Sequence, residues 1–511
     1  MPENKKNPNV LIIMTDQHRA DYMSCAGNSP VKTPNIDRIA QKGIRYENAY
    51  CPYPVCVASR NAMLTGLYPH TTGVITNRDR LDRRYRTMAH HFNSFGYMTG
   101  LVGKMHFNDS CTHGFEYYTS INDWLMYLGP KVSYYADEIA NHQLTKQFYN
   151  TVIDDGAGFP DLSDVWENNL SPWVGNVKKF PQGQVASELN EEDHLDMFVA
   201  RESVKFLEKY QDQQFFLIAS FMKPHTPFYP PKKYAEMFPI ENIEIKDPGD
   251  ISEYPTYVKN YHEGFKNVPE IQRRAAQAGY CGNLAFADDC IGYLYDKLES
   301  LNLLENTIVV YTSDHGEMGG EHGLYQKFCM FEPAVKVPLI ISCPGSIKEN
   351  ITHGGLISQL GLYPTLADLT GTAPVSAEPL ADMENAPEKL DAESFAKSVC
   401  DPDSSSRSGE IFAEFNLRDK NRAQYMIRSG KYKYVLHNTG EVKLYDSEKV
   451  AKEKANLFDK SVYNDISKTD EGELYDLEKD PKEFVNLFNK PGYVEIGNEL
   501  REKIKLNFGL E

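Results

Sequence analysis

The chain has 511 residues, 25% of them charged and 41% apolar, which fits a folded globular protein and argues against disorder. That length exceeds one compact core, so a large unit joined to a smaller one is expected. The formal charge of −18 argues against a nucleic-acid or anionic-membrane partner, because both need a basic face; an anionic small substrate in a locally cationic pocket stays open.

Apolar runs alternate with amphipathic segments along most of the chain. Residues 10–15, 215–221, 307–312 and 337–342 are short, continuous and β-branched or aromatic, which is how strands covered on both faces of a parallel sheet read. The first run follows MPENKKNPN and is too short for a signal-peptide core or a membrane span. Nine cysteines, scattered without metal-ligand spacing, suit reduced thiols. The cytoplasm is the expected compartment, or the periplasm or exterior if a leader precedes this text.

Thr33 and Pro34 predict a helix start, Ile36, Ile39 and Ala40 its buried face, and Gly43 its end. A second helix carries Ala287, Ile291, Leu294 and Leu298 and leads into the strand at Thr307. The alternation is that of an α/β fold. The aromatic stretch 109–183 has weak periodicity and reads as active-site loops. Residues 372–408 turn to Ala, Pro, Glu, Asp and Ser, as in a linker or surface excursion. Short alternating runs at 425–427 and 432–436 and an amphipathic helix at 496–506 predict a small antiparallel sheet with a helix. The expected division is a catalytic domain over 1–371, the excursion over 372–408, and an antiparallel-sheet subdomain over 409–511.

Asp16-Gln17 and Asp314-His315 each follow a predicted strand. In open α/β sheets, ligands bind beyond the carboxyl ends of strands, so carboxylates there are placed to hold a metal. Oxygen ligands with one imidazole suit Ca²⁺, Mg²⁺ or Mn²⁺ better than a structural zinc. Each pair read alone also fits a carboxylate that caps the following turn.

Cys56-Val57-Ala58-Ser59-Arg60, followed by Leu64-Thr65-Gly66, resembles the motif of the formylglycine-dependent sulfatases, in the alkaline-phosphatase-like superfamily. Ala58 stands where proline is commoner. The resemblance continues through Gly103-Lys104-Met105-His106, Pro224-His225-Thr226-Pro227-Phe228, Gly320 to Gly323, Lys327, Glu332 and Val337-Pro338, and closes on Glu473 to Glu483. It implies an α/β/α sandwich with a large, mostly parallel sheet and a smaller C-terminal α+β part.

The resemblance also implies a chemistry. A maturation enzyme would oxidise Cys56 to formylglycine, whose hydrate offers one hydroxyl to attack sulfur and a second to expel sulfate afterwards. Asp16, Gln17, Asp314 and His315, with an oxygen on residue 56, would bind one divalent cation. Ca²⁺ comes first; Gln17 and His315, where many members carry Asp and Asn, keep Mg²⁺ and Mn²⁺ open. Arg60 would hold the diol, with Lys104 and His106 beside it and His106 a candidate base. His225 and Lys327 would bind sulfate and protonate the leaving oxygen, and Asn77 would face substrate. A sulfated carbohydrate is the expected substrate. Phosphonate monoester hydrolases fit the Asp-Gln and Asp-His pairs too, and choline sulfatase fits Gly103 to Phe107 and His113 to Glu116. A silent binding protein of this fold would be expected to have lost Cys56, Asp314 or Lys327, and all three are present.

Overall fold

The computed structural model describes residues 7–131, 186–187, 189–246, 248–263, 265–266, 268–383, 386–402, 409–417, 422–438 and 471–510. Eight strands form the main sheet: β1 (Asn9–Asp16), β2 (Gly43–Tyr50), β3 (Met98–Gly103), β4 (Tyr117–Thr119), β5 (Phe215–Pro224), β6 (Thr307–Ser313), β7 (Leu339–Ser342) and β8 (Ile351–Ser358). Their order is β4-β3-β5-β1-β6-β7-β2-β8. β1 sits in the middle, parallel to both β5 and β6.

The continuous apolar text of β1 has a direct cause. Val10, Ile12 and Met14 enter the core on one face of the sheet, and Leu11 and Ile13 enter the core on the other. A strand buried on both sides has no polar face to alternate with. The run at 337–342 gives a strand that begins at Leu339 and runs antiparallel to β6 and β2, so the sheet is mostly parallel. Apolar text reports burial on both faces and carries no information about direction.

Helices cover the two faces. α1 (Pro34–Gln41) starts where expected, but Thr33 makes no side-chain cap hydrogen bond. Asp288 supplies the cap instead, accepting from Asn35 N at 3.1 Å and Ile36 N at 2.9 Å. Gly43 does not end the helix; Lys42 caps it and Gly43 opens β2. A Cβ there would lie 2.3 Å from the Ile341 carbonyl oxygen, so glycine serves the close pass of β2 along β7.

α2 (Cys56–Thr65) is buried along its whole length. The described part of the stretch 109–183 holds β4 and α3 (Ile121–Leu128), and the remainder lies outside the described residues. A capping box of Ser120 and Asp123 starts α3, and Trp124 and Leu128 bury its inner side, a local signal that weak periodicity hid. α4 (Leu195–Tyr210) and α5 (Glu270–Ser300) lie across the sheet; Ala287, Ile291, Leu294 and Leu298 are all buried on α5.

A second sheet contains β9 (Glu410–Leu417), β10 (Arg422–Ser429), β11 (Tyr432–Asn438) and β12 (Gly472–Asp476), antiparallel in the order β12-β11-β10-β9. Its residues alternate between two neighbours. Met426 and Val435 join the main core. Tyr425, Ile427, Tyr434 and Leu436 pack with Leu500, Ile504 and Phe508 of α6 (Val494–Phe508).

Candidate functional site

β1 and β6 run side by side with Thr15 opposite Ser313, so Asp16 and Asp314 emerge together from adjacent strand ends. The Asp314 amide lies 3.4 Å from the Thr15 carbonyl oxygen, which carries the ladder one residue past the end of β6. Cys56, the first residue of α2, faces them. Its Sγ lies 3.9 Å from Asp16 Oδ1, 3.1 Å from His315 Nε2 and 3.4 Å from Lys327 Nζ. One ligand atom each from Asp16, Cys56, Asp314 and His315 fall within 4.8 Å of one another, and all four residues are buried.

Cations frame these carboxylates. Asp16 Oδ2 takes Lys104 Nζ at 2.6 Å and Arg60 Nη2 at 3.0 Å. Arg60 also donates Nε to Asp314 Oδ2 at 2.7 Å and Nη1 to the Lys104 carbonyl and Ser220 Oγ. Burial works against a charged Asp16, but Lys104, His225, Arg60 and His315 outweigh it and hold the carboxyl well below its usual range. Burial and Asp16 oppose a Cys56 thiolate, yet Lys327, Lys104 and His315 prevail and bring the thiol below its ordinary value. A helix N-terminus adds partial positive charge at the same point.

The histidines are oriented by backbone. His315 Nδ1 donates to the Gly316 carbonyl at 2.9 Å, which turns Nε2 toward Cys56. His225 Nδ1 donates to the Thr226 carbonyl at 2.6 Å, and its Nε2 lies 3.9 Å from Asp16 Oδ1. One nitrogen is thereby fixed as donor and the other faces the site. Burial and Lys104 push both His225 and His106 well below the usual imidazole value.

Lys327 Nζ donates to Gln17 Oε1 at 2.8 Å, and the Gln17 amide nitrogen donates to Glu317. Gln17 (φ 69°), His106 (φ 70°), Gln326 (φ 66°) and Phe328 (φ 77°) all lie in the left-handed region. Such strained backbone gathers where a site dictates the conformation. Asn77 stands beside position 56: its Oδ1 accepts from Val57 N at 3.2 Å and holds the first turn of α2.

The structure therefore brings Asp16, Gln17, Cys56, Arg60, Lys104, His225, Asp314, His315 and Lys327 into one cluster, and His106 shares its field. Three supporting residues were not expected. Ser220 donates to the Lys104 carbonyl at 2.5 Å, Tyr280 OH donates to the Gln17 carbonyl at 2.7 Å, and Glu317 holds the Gln17 amide. Only Glu317 carried a sequence signal, as an acidic residue between His315 and Lys327.

Residues 8–372 match the family model described as sulfatase, and residues 320–470 match that of the N-sulphoglucosamine sulphohydrolase C-terminal region. An arylsulfatase of Clostridium perfringens is 28% identical over 470 residues, covering 90% of this chain and 92% of the relative. A choline-sulfatase of Rhizobium meliloti is 28% identical, covering 88% and 82%. An N-acetylglucosamine-6-O-sulfatase of Bacteroides thetaiotaomicron is 25% identical, covering 90% and 84%. The solved structure of the phosphonate monoester hydrolase of Agrobacterium radiobacter superposes with a TM-score of 0.71 at 21% identity, over 98% of this chain and 95% of that one. The fold is thus the alkaline-phosphatase-like one, with its large mostly parallel sheet and separate antiparallel sheet. The family match spans both strand ends and the helix that carries Cys56, and the chain belongs to the sulfatase family of sulfuric ester hydrolases.

Proposed function

We propose that this chain hydrolyses sulfate monoesters of a carbohydrate, with formylglycine made from Cys56 as nucleophile. Asp16, Gln17, Asp314 and His315 would hold a divalent cation beside it. The observation that carries this reading is the meeting of Asp16, Cys56, Asp314 and His315 within 4.8 Å. Carboxylate oxygens with one imidazole fit Ca²⁺, and Mg²⁺ and Mn²⁺ after it. Such an ion, when bound, offsets the negative sulfate oxygens and favours loss of a proton from the hydrated aldehyde. Conversion of Cys56 requires a maturation enzyme that reads residues 56–66.

Arg60, pinned by both carboxylates, holds its charge against the side chain at position 56. Lys104 and Lys327 present ammonium groups to the ester oxygens, where charge grows in the transition state. His106, kept neutral by burial and Lys104, would serve as the base toward the residue-56 side chain. A bound sulfate ester brings negative charge next to His225 and Lys327 and favours the protonated form of His225. One of them then protonates the leaving alcohol. That help matters for sugars, which leave poorly, and is worth about 10²–10⁴-fold. A relative named for N-acetylglucosamine 6-sulfate supports a sugar substrate.

A phosphonate monoester is the second reading, favoured by Gln17 and His315 in the cluster. Turnover of an aryl sulfate and the matching aryl phosphonate separates the two. Sulfate is expected to be preferred in kcat/KM by at least about 10²-fold; a preference for phosphonate overturns the sulfatase reading of this site.

A further inference from the structure

We infer that Glu317 is a positioning residue that fixes which end of the Gln17 amide faces the cation site. This rests on the metal-site reading above and names a role for a carboxylate outside the ligand set. Gln17 is tied at four points. Its backbone N–H donates to Asp314 Oδ1 at 3.1 Å, its carbonyl accepts from Tyr280 OH at 2.7 Å, Oε1 accepts from Lys327 Nζ at 2.8 Å, and Nε2 donates to Glu317 Oε2. An amide carries its oxygen and nitrogen in nearly the same shape, so only its partners decide its orientation.

Those partners leave no ambiguity. An ammonium group can only donate, so the atom facing Lys327 is the oxygen. The atom facing Glu317 is then the nitrogen, and Glu317 Oε2 accepts. The other oxygen of Glu317 accepts from Gly319 N at 3.0 Å and from Gln326 N, so the carboxylate is itself fixed by the loop that leads to Lys327. Glu317 is buried and reaches Gln17 across 300 positions of sequence. Lys327 holds Gln17 Oε1, and a cation bound there would compete with it. Glu317 is the partner that keeps this oxygen turned inward whichever of them holds it, and so prevents an N–H group from facing a positive ion.

The pattern predicts a paired substitution. In Glu317→Gln the new amide must point an NH₂ group either at Gln17 or at the Gly319 and Gln326 amides, a donor–donor clash in both cases. Adding Gln17→Glu restores complementarity, because Glu at 17 accepts from both Gln at 317 and Lys327. Calorimetric titration of chelator-treated enzyme with Ca²⁺, Mg²⁺ and Mn²⁺ in turn reads this without reference to turnover. Glu317→Gln is expected to bind the preferred ion at least about tenfold more weakly, and the double variant to recover at least wild-type affinity. Unchanged affinity in a folded Glu317→Gln enzyme, or no recovery in the double variant, overturns the assignment and leaves the metal site standing. Wild-type enzyme that binds none of the three ions overturns the metal site, and this assignment falls with it. Should the single variant not fold, a crystal structure of Ca²⁺-loaded wild type decides. Glu317 on Gln17 Nε2 with Oε1 toward the ion is expected; a Gln17 side chain withdrawn from Glu317 refutes it.

Discussion

Lys104 Nζ stands 2.6 Å from Asp16 Oδ2, so the ammonium group proposed to meet an anionic substrate leans on the carboxylate proposed to hold a cation. Lys104→Ala separates the two duties. It is expected to lower kcat/KM for an aryl sulfate by at least about 10²-fold, the scale of one lost transition-state contact. Calorimetric affinity for the divalent ion should hold or rise, since Asp16 loses a competitor. An unchanged kcat/KM would remove Lys104 from the site.

The loop that carries His315 is packed with no room to spare. A Cβ on Gly316 would lie 1.9 Å from the Pro333 carbonyl oxygen, and the Gly316 amide donates to the Ala334 carbonyl at 2.8 Å. Gly316→Ala is expected to cost about 1–3 kcal/mol in urea unfolding and to weaken divalent-ion binding by displacing His315. Full stability with full ion affinity would show that the loop can yield.

A buried ionic cluster joins the small sheet to the segment just after Lys327. Lys433 Nζ lies 2.7 Å from Glu483 and 3.1 Å from Glu332, and Glu332 also meets Tyr50 OH at 2.9 Å, with Lys336 and Arg428 nearby. Lys433 is shared between Glu483, which is fully buried, and Glu332, which is half-buried and also near Lys336 and Arg428. Burial raises the Glu483 carboxyl, Lys433 opposes, Glu332 adds repulsion, and the group is pushed up to about 8 from 4.5. A carboxyl raised on folding binds its proton more tightly in the native state. Its contribution to stability is therefore full below pH 4.5 and is lost as pH rises through about 8. Glu332, lowered by Lys433 against its burial, acts in the opposite sense and only at more acidic pH. Denaturant unfolding should show stability falling between pH 5 and 8 by an amount that Glu483→Gln abolishes. The same slope in wild type and variant would contradict it.

Much of this was legible in the text because it is local or motif-borne. The strand ends at Asp16 and Asp314 follow from apolar runs bounded by polar residues, and Cys56 to Gly66 carries its own signature. What escaped is made at long range. The cap of α1 comes from Asp288, 252 positions away from Ile36, while Thr33 looks the part locally. Gly43 reads as a helix stop but answers to the Ile341 carbonyl. The direction of β7 is set by its neighbours rather than by its composition. In the site, Ser220 and Tyr280 act through hydrogen bonds to residues whose own positions were visible, and a hydroxyl that supports another residue has no spacing of its own to announce it.

The proposed nucleophile is a formylglycine made from Cys56, which lies against Asp16 and within one ligand cluster with Asp314. Mass spectrometry of the peptide spanning residues 55–60 from active enzyme tests this directly. A peptide about 18 mass units lighter than the cysteine form is expected, in proportion to specific activity. Fully active enzyme whose Cys56 remains an unmodified thiol would contradict it.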